Sequence, residues 1–238
     1  MSFLRTLPVS RRYPARAIRV LGHPEALVLR PTCMTDVEEI VSAIQASLPE
    51  LRAFMPWAHV PQTHEAQLDR LRAGEAKYVA GEELVMGLFR GDTFVAMVGL
   101  HPRVALNPNG LEIGYWASTP HAGKGYVTLA VRMALLYAFD KLGADRVQVG
   151  CDETNLASRR VIEKCGFAFE GVQRNILAAA TPELVAGGFR GTARNPSFAL
   201  FPDTIEAQPW VAELRPRLVY ENLAGHEVRS RSSAASSS

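Results

Sequence analysis

Hydrophobic positions along the chain change their period several times, and each change predicts an element. Val37, Ile40, Val41 and Ile44 recur on one helical face. Thr35 with Glu38 three residues later predicts a capping box at the start of that helix. Thr63 is read as the cap of a second helix carrying Leu68 and Leu71. Leu84 to Phe89 and Phe94 to Leu100 are apolar runs around Arg90-Gly91-Asp92-Thr93, a hairpin signal. Ala26 to Leu29 reads as a short strand before them. Leu111 to Ala117 reads as another, after a turn at Asn107-Pro108-Asn109-Gly110. Val127, Ala130, Val131, Ala134, Leu135 and Ala138 then return to helical spacing, with Gly143 as the stop. Arg146 to Cys151 reads as a buried strand, and Asn155 as the cap of a short helix ending at Gly166. Gly171 to Ala179 and Ser197 to Phe201 are strand-like. Strands and helices interleave while early hairpins preclude a purely parallel sheet, so the pattern predicts a mixed α/β domain.

The flanks lack this periodicity. Residues 1–25 mix Arg, Pro and Gly and read as an irregular arm, with an added edge strand as the alternative. The domain is expected over 26–205. Residues 206–238 read as a C-terminal extension, and 229–238 as a disordered Ser/Arg/Ala tail. No internal repeat stands out.

Composition adds exclusions. With 47% hydrophobic and 21% charged residues in 238, the chain has the balance of a soluble globule. A formal net charge of +2, much of it in flanking residues such as Arg5, Arg11, Arg12, Arg16, Arg229 and Arg231, gives no reason to expect nucleic acid. No apolar run approaches the roughly 20 residues that span a bilayer, so no membrane partner is expected. The three cysteines, Cys33, Cys151 and Cys165, have no metal-like spacing. They fit a reducing cytoplasm, no disulfide framework and no metal site.

The candidate chemistry lies between the strand ending near Ala117 and the helix beginning near Val127. A strand, a glycine turn and a helix make an anion site, because the first helical turn carries unpaired N–H groups at a positive dipole end. Gly123, Lys124, Gly125, Tyr126 and Val127 could direct their amides at a pyrophosphate. Lys124 either adds charge or is simply solvated. Alone, the turn is equally compatible with a tight turn that binds nothing. The Walker A pattern fails, with Ser118 where it needs glycine and Gly125 where it needs Ser or Thr. The dinucleotide fingerprint lacks its third glycine at Thr128, although Asp152 ends the next strand.

Three segments in order resemble the GNAT acyltransferase superfamily. They are Glu112-Ile113-Gly114-Tyr115-Trp116, Gly123-Lys124-Gly125-Tyr126 and Asn155-Leu156-Ala157-Ser158 running on to Lys164-Cys165-Gly166-Phe167. The likeness covers about residues 26 to 205. It is greatest to the RimJ/RimL branch of ribosomal-protein N-acetyltransferases, to which Leu51 to His59, with Met55-Pro56-Trp57, is also similar. The resemblance implies a central sheet splayed between its fourth and fifth strands, with acetyl-CoA in the V. It implies an acceptor amine on a protein N-terminus, a peptide or a small molecule, and a homodimer, common in that branch. It maps the pantetheine-pairing strand to Tyr115, Trp116 and Ala117, the pyrophosphate turn to Ala122 through Val127, and a further cofactor contact to Asn155. The turn departs from the family at Ala122, usually Gln or Arg, and at Val127, usually Gly or Ala.

The resemblance places the catalytic candidates too. Glu112 is the candidate base, directly or through water, or else a structural strand carboxylate. His101 is the other base candidate, and a lone strand histidine is more often structural. Ser158 is the candidate to protonate the leaving thiolate, or else shares the helix cap with Asn155. A backbone N–H near Trp116 is the candidate oxyanion donor. A glutamate used in some RimL-like enzymes corresponds to Leu177 here. Cys151 and Cys165 read as packing residues. Met55-Pro56-Trp57 reads as packing or as one wall of the acceptor groove. Two readings stand beside an active acetyltransferase: a CoA-binding regulatory module, and a dinucleotide-binding oxidoreductase.

Overall fold

The computed structural model describes residues 15–102, 107–174 and 180–228. The strands form one sheet in the order β10-β9-β1-β2-β3-β4-β5-β6-β8-β7. They are β1 (Ala17–Val20), β2 (Leu27–Pro31), β3 (Leu84–Arg90), β4 (Thr93–His101), β5 (Gly110–Ala117), β6 (Arg146–Gly150), β7 (Ala168–Arg174), β8 (Arg194–Leu200), β9 (Leu218–Glu221) and β10 (Glu227–Val228). Every neighbouring pair is antiparallel except β5 and β6. That parallel pair lasts three rungs, Gly110 with Arg146, Leu111 with Val147 and Glu112 with Gln148. Beyond Glu112 the two strands pair no further, and the sheet opens.

Helices cover both faces. On one lie α1 (Val37–Gln45), α2 (Leu48–Phe54) and α3 (His64–Ala80). Their core joins Ile40, Ile44 and Leu71 to Phe89 and Phe94, with Trp116 packed against it. On the other lie α4 (Tyr126–Tyr137) and α5 (Leu156–Cys165). There Ala130, Val131, Ala134 and Ile162 bury against Val98, Ile113 and Val149. The period-two alternation of a strand therefore sends Trp116 toward the α1–α3 side and Ile113 toward the α4–α5 side. Among the described residues no helix is long and apolar enough to cross a membrane.

Several local readings need correction. Thr35 does not cap α1. The chain enters through a short 3-10 turn at Met34–Asp36, and Asp36 accepts from the Cys33 amide at 2.9 Å. Asp36 also holds the Arg30 guanidinium through both oxygens, at 2.7 and 2.8 Å. This link from β2 to α1 has no signature in local spacing. Thr63 does cap a helix, accepting from the Ala66 amide at 3.2 Å, but α2 precedes that helix and makes it the third. Residues 1–25 are not wholly irregular, since β1 lies inside the sheet between β2 and β9. The range 206–238 contributes α8 (Pro209–Leu214), β9 and β10 after α7 (Pro202–Glu206). The strand expected from Gly171 begins at Ala168, and its expected end at 175–179 lies outside the described residues, as does the 229–238 tail.

The Asp36 link gives a pH prediction. Burial raises the carboxyl's pKa, but Arg30 and the Cys33 amide overcome this and leave it below its ordinary value. A lowered folded pKa contributes stability that is present above the unfolded pKa and lost as pH falls through the folded one. Asp36→Asn should therefore cost about 1–3 kcal/mol near neutral pH, the usual loss for one partner of a charged hydrogen-bonded pair. The deficit should begin to shrink as pH falls below about 4, the ordinary carboxylate value, and close once pH passes below the lowered folded value. Urea unfolding at neutral and acid pH checks this; a pH-independent deficit would mean that packing alone is lost.

Candidate active site

The site forms where β5 and β6 part. Glu112 is at their last shared rung, with Gln148 opposite donating to its carboxylate at 3.4 Å. Next along β5, Gly114 is exposed and a Cβ there would meet nothing within 4 Å, so the strand surface beside Glu112 is open. Tyr115 points to the α5 side. Its hydroxyl lies 3.0 Å from the Ser158 hydroxyl and 3.1 Å from the Ser158 carbonyl oxygen. Burial raises the Tyr115 pKa well above its ordinary range, so this phenol stays protonated. Asn155 caps α5 by accepting from the Ser158 amide at 3.0 Å, which fixes where the serine hydroxyl starts.

Two cavities meet here. One of about 350 Å³ is lined by Glu112, Gly114, Gln148, Asp152, Asn195 and Ser197, among others. The second, of about 490 Å³, runs past Trp116 and Ala117 to Ala122 and Val127. Phe54, Met55, Tyr115, Asn155 and Ser158 line both. Glu112 thus serves one cavity, the Tyr115–Ser158 pair stands at the junction, and the second cavity leads to the glycine turn.

The turn has the geometry of an anion cradle. Gly123 and Gly125 have φ of 77° and 84°, the left-handed region that favours glycine. Gly125 is the N-cap of α4 and has no side chain to spend on the helix end. The amides from Gly123 through Thr128 find no backbone acceptor among the described residues; the first helical bond is Leu129 to the Gly125 carbonyl. Lys124 is exposed. The Tyr126 side chain turns inward and donates to Glu25 at 2.7 Å, so only its amide serves the cradle. Beside the turn, burial and then Lys124 and Arg90 hold the His121 imidazole below its ordinary pKa.

Strand register narrows the oxyanion candidate near Trp116. Ser118 N–H donates to the Val95 carbonyl at 3.1 Å, and Trp116 pairs with Met97 in the same ladder. Bonding directions alternate along an antiparallel pair, so Trp116 N–H points into β4. The amides on the open side belong to Tyr115 and Ala117. His101 sits opposite Glu112 on β4, but its Nδ1 lies 3.5 Å from Glu83, and it lines neither cavity. Cys165 is buried, its thiol pushed up to about 12 by that burial. Cys151 is buried too, yet it lines the first cavity. Leu177 lies outside the described residues. Among those described, no group of three or more His, Cys, Asp or Glu could hold a metal ion.

Sequence patterning missed part of the lining. Gln148, Gln173, Asn195 and Ser197 face the first cavity from β6, β7 and β8, and Phe189 and Arg190 reach the site from the connection before β8. Period-two reading of those strands around Glu112 could have found the first four. Nothing in local spacing marks the other two.

Comparison with known proteins bears on the family and the fold. The family model of the acetyltransferase (GNAT) domain matches residues 26–168. The chain belongs to the GNAT acetyltransferase family. It is 32% identical to the Bacillus subtilis protein named "Probable N-acetyltransferase YjcK", over 63% of this chain and 84% of that one. It is 24% identical to the Escherichia coli ribosomal-protein-serine acetyltransferase, over 62% and 82%. Mycobacterium smegmatis RimJ, solved in complex with CoA-disulfide, superposes with a TM-score of 0.69 at 18% identity, over 87% of this chain and 96% of that one. A RimL structure with coenzyme A gives 0.67 at 14% identity, over 78% and 99%. As a GNAT acetyltransferase the chain is an enzyme of acetyl transfer to an amine, and the regulatory-module and oxidoreductase readings are not favoured. The fold itself opposes the oxidoreductase. Its sheet is almost wholly antiparallel, and Asp152, which that reading needed for a ribose, bonds Thr154 and Thr192 instead.

Proposed function

We propose that this acetyltransferase takes its acetyl group from acetyl-CoA and delivers it to the α-amine of a protein or peptide. The observation that carries the reading is the junction of two cavities at Tyr115, Asn155 and Ser158, across the opening between β5 and β6. The second cavity fits a long cofactor arm, bounded by strand amides and ending at the cradle of unpaired turn amides. Gly123, Lys124, Gly125, Tyr126 and Val127 would hold the pyrophosphate, Tyr115 and Ala117 amides the arm, and Asn155 its far end. The first cavity suits the acceptor. Its charged lining residues are the carboxylates Glu112 and Asp152, and no lysine or arginine lines it among the described residues. Such a wall attracts an ammonium group. The protein acceptor is supported by relatives named as ribosomal-protein acetyltransferases.

The chemistry joins the amine nitrogen to the acetyl carbon and breaks the carbon–sulfur bond. Glu112 removes the amine proton, directly or through water, from the α1–α3 side of β5. The Tyr115 or Ala117 amide donates to the carbonyl oxygen as charge builds there. On the opposite side, Ser158 gives a proton to the departing sulfur, with Tyr115 hydrogen-bonded behind it. Base and acid thus stand on either side of the opened strand, and neither must reach across the other.

The test offers acetyl-CoA with peptides bearing free or blocked α-amines and with small primary amines, reading CoA thiol release and the mass of the product. One acetyl group on the free α-amine peptides is expected. Acetylation confined to small amines would sink the peptide reading. Glu112→Gln should lower kcat by about 10²-fold, the low end for a general base, with acetyl-CoA affinity kept; unchanged turnover would clear Glu112 of that role.

A further inference from the structure

The connection between α6 (Pro182–Ala186) and β8 crosses the open end of the sheet as a strap. It is fastened at three points. The Arg190 amide donates to the Ala53 carbonyl at 2.8 Å, near the end of α2. Asp152 accepts from both the Thr192 amide, at 2.5 Å, and its hydroxyl, at 3.1 Å. The Phe189 ring meets His59 edge-on, with centroids 6.0 Å apart. Side chains along the strap then divide between the two cavities. Phe189, Gly191 and Ala193 line the acceptor cavity, while Arg190 lines the cofactor groove.

Arg190 is the only basic residue lining that groove among the described residues. Its guanidinium makes no ion pair or hydrogen bond with a described residue. The other charged lining residue, Glu50, accepts from the Thr119 hydroxyl at 3.3 Å. Arg190 is exposed, so its guanidinium is open to an anion lying in the groove that it lines. At the turn end of the same groove, Ala122 has no side chain with which to hold one.

We propose that Arg190 is a cofactor-binding residue, carried by the strap to the groove that leads to the glycine turn, where its guanidinium pairs with the phosphates of CoA. The proposal rests on reading this groove as the acyl-CoA site. It makes the strap the partition between the two substrates: one residue grips the cofactor while its neighbours bound the acceptor.

The experiment measures Kd for CoA by calorimetry, and for pantetheine, which lacks the phosphates, by competition. Wild type, Arg190→Ala and Arg190→Lys are compared. Arg190→Ala should weaken CoA about tenfold, in line with losing a charge-assisted hydrogen bond, and leave pantetheine unchanged. Arg190→Lys should recover most of the loss, since a phosphate accepts a point charge. The salt dependence of CoA binding should become shallower in Arg190→Ala. The backbone bond to Ala53 survives either change, and an unchanged melting temperature without ligand verifies it. Equal CoA affinity in wild type and Arg190→Ala, or the same loss for pantetheine, overturns the assignment. Failure of wild type to bind CoA at all would instead overturn the reading of the groove.

Discussion

A chain ending at Glu206 is expected to lose its cooperative fold, although the family match ends at 168 and the sequence pattern places the domain boundary at 205. Such a truncation removes Trp210, Val211, Leu214, Leu218, Val219 and Tyr220, all buried. At about 1.5–3 kcal/mol per large apolar side chain, the loss is on the order of 10 kcal/mol. That matches the whole stability of an ordinary domain, about 5–15 kcal/mol. The lost strand is also the partner of β1 over four rungs, from Ala17 with Glu221 to Val20 with Leu218. Tyr220 stacks on Tyr137 at the end of α4, the helix whose other end forms the glycine turn. The damage should therefore reach the site. Circular dichroism and urea unfolding check this, and a truncated chain with a sharp transition near that of wild type would refute it. Trp210→Ala gives a milder version. It should cost about 3–5 kcal/mol, as for other buried tryptophans, and it leaves the Arg132 guanidinium without the ring it covers at 5.0 Å.

The contrast between legible and illegible parts has a physical cause. The glycine turn, the Asn155 cap, the Gly166 stop and the β3–β4 hairpin are set by residues within a few positions of each other. Each is a local choice of backbone angle or capping group, and each was legible from spacing. The pairing of β1 with β9 joins segments about two hundred positions apart, and Arg19 reaches Glu221 at 2.7 Å across that distance. Neither strand is long enough to show a period, and their partnership exists only once the sheet is assembled. α2 was hidden for another reason: seven residues with Pro49 near its start carry little periodic signal. The site divides the same way. Glu112, Tyr115, Asn155 and Ser158 lie on elements with strong local signatures. Arg190 lies on an irregular strap held by Ala53 and Asp152, so its position depends on residues far away in sequence. The direction of Trp116 N–H required the register with β4, which a single strand does not specify.

Ser158→Ala should lower kcat by about 10² to 10⁴-fold, the range for removing a positioned proton donor. Acetyl-CoA binding should change little, because the Asn155 side chain caps α5 through the Ser158 amide, which alanine keeps. Tyr115→Phe should produce a smaller fall. Tyr115 touches the reaction through Ser158, and its phenol stays protonated, so it supports the serine hydroxyl without titrating at ordinary pH. If the two act as one unit, the double variant Tyr115→Phe/Ser158→Ala should be no slower than Ser158→Ala alone. Independent roles would instead multiply the two losses. A purely structural serine predicts a third pattern, with a lower melting temperature, weaker cofactor binding and little change in kcat at saturation. Steady-state rates, cofactor Kd and melting temperature for the four proteins separate these cases. The first pattern would place proton delivery to sulfur on the α5 side of β5, opposite the Glu112 side from which the amine loses its proton. The opening between β5 and β6 would then have a chemical purpose as well as room for a cofactor: it lets an acid and a base on opposite faces of one sheet act on the same carbonyl carbon.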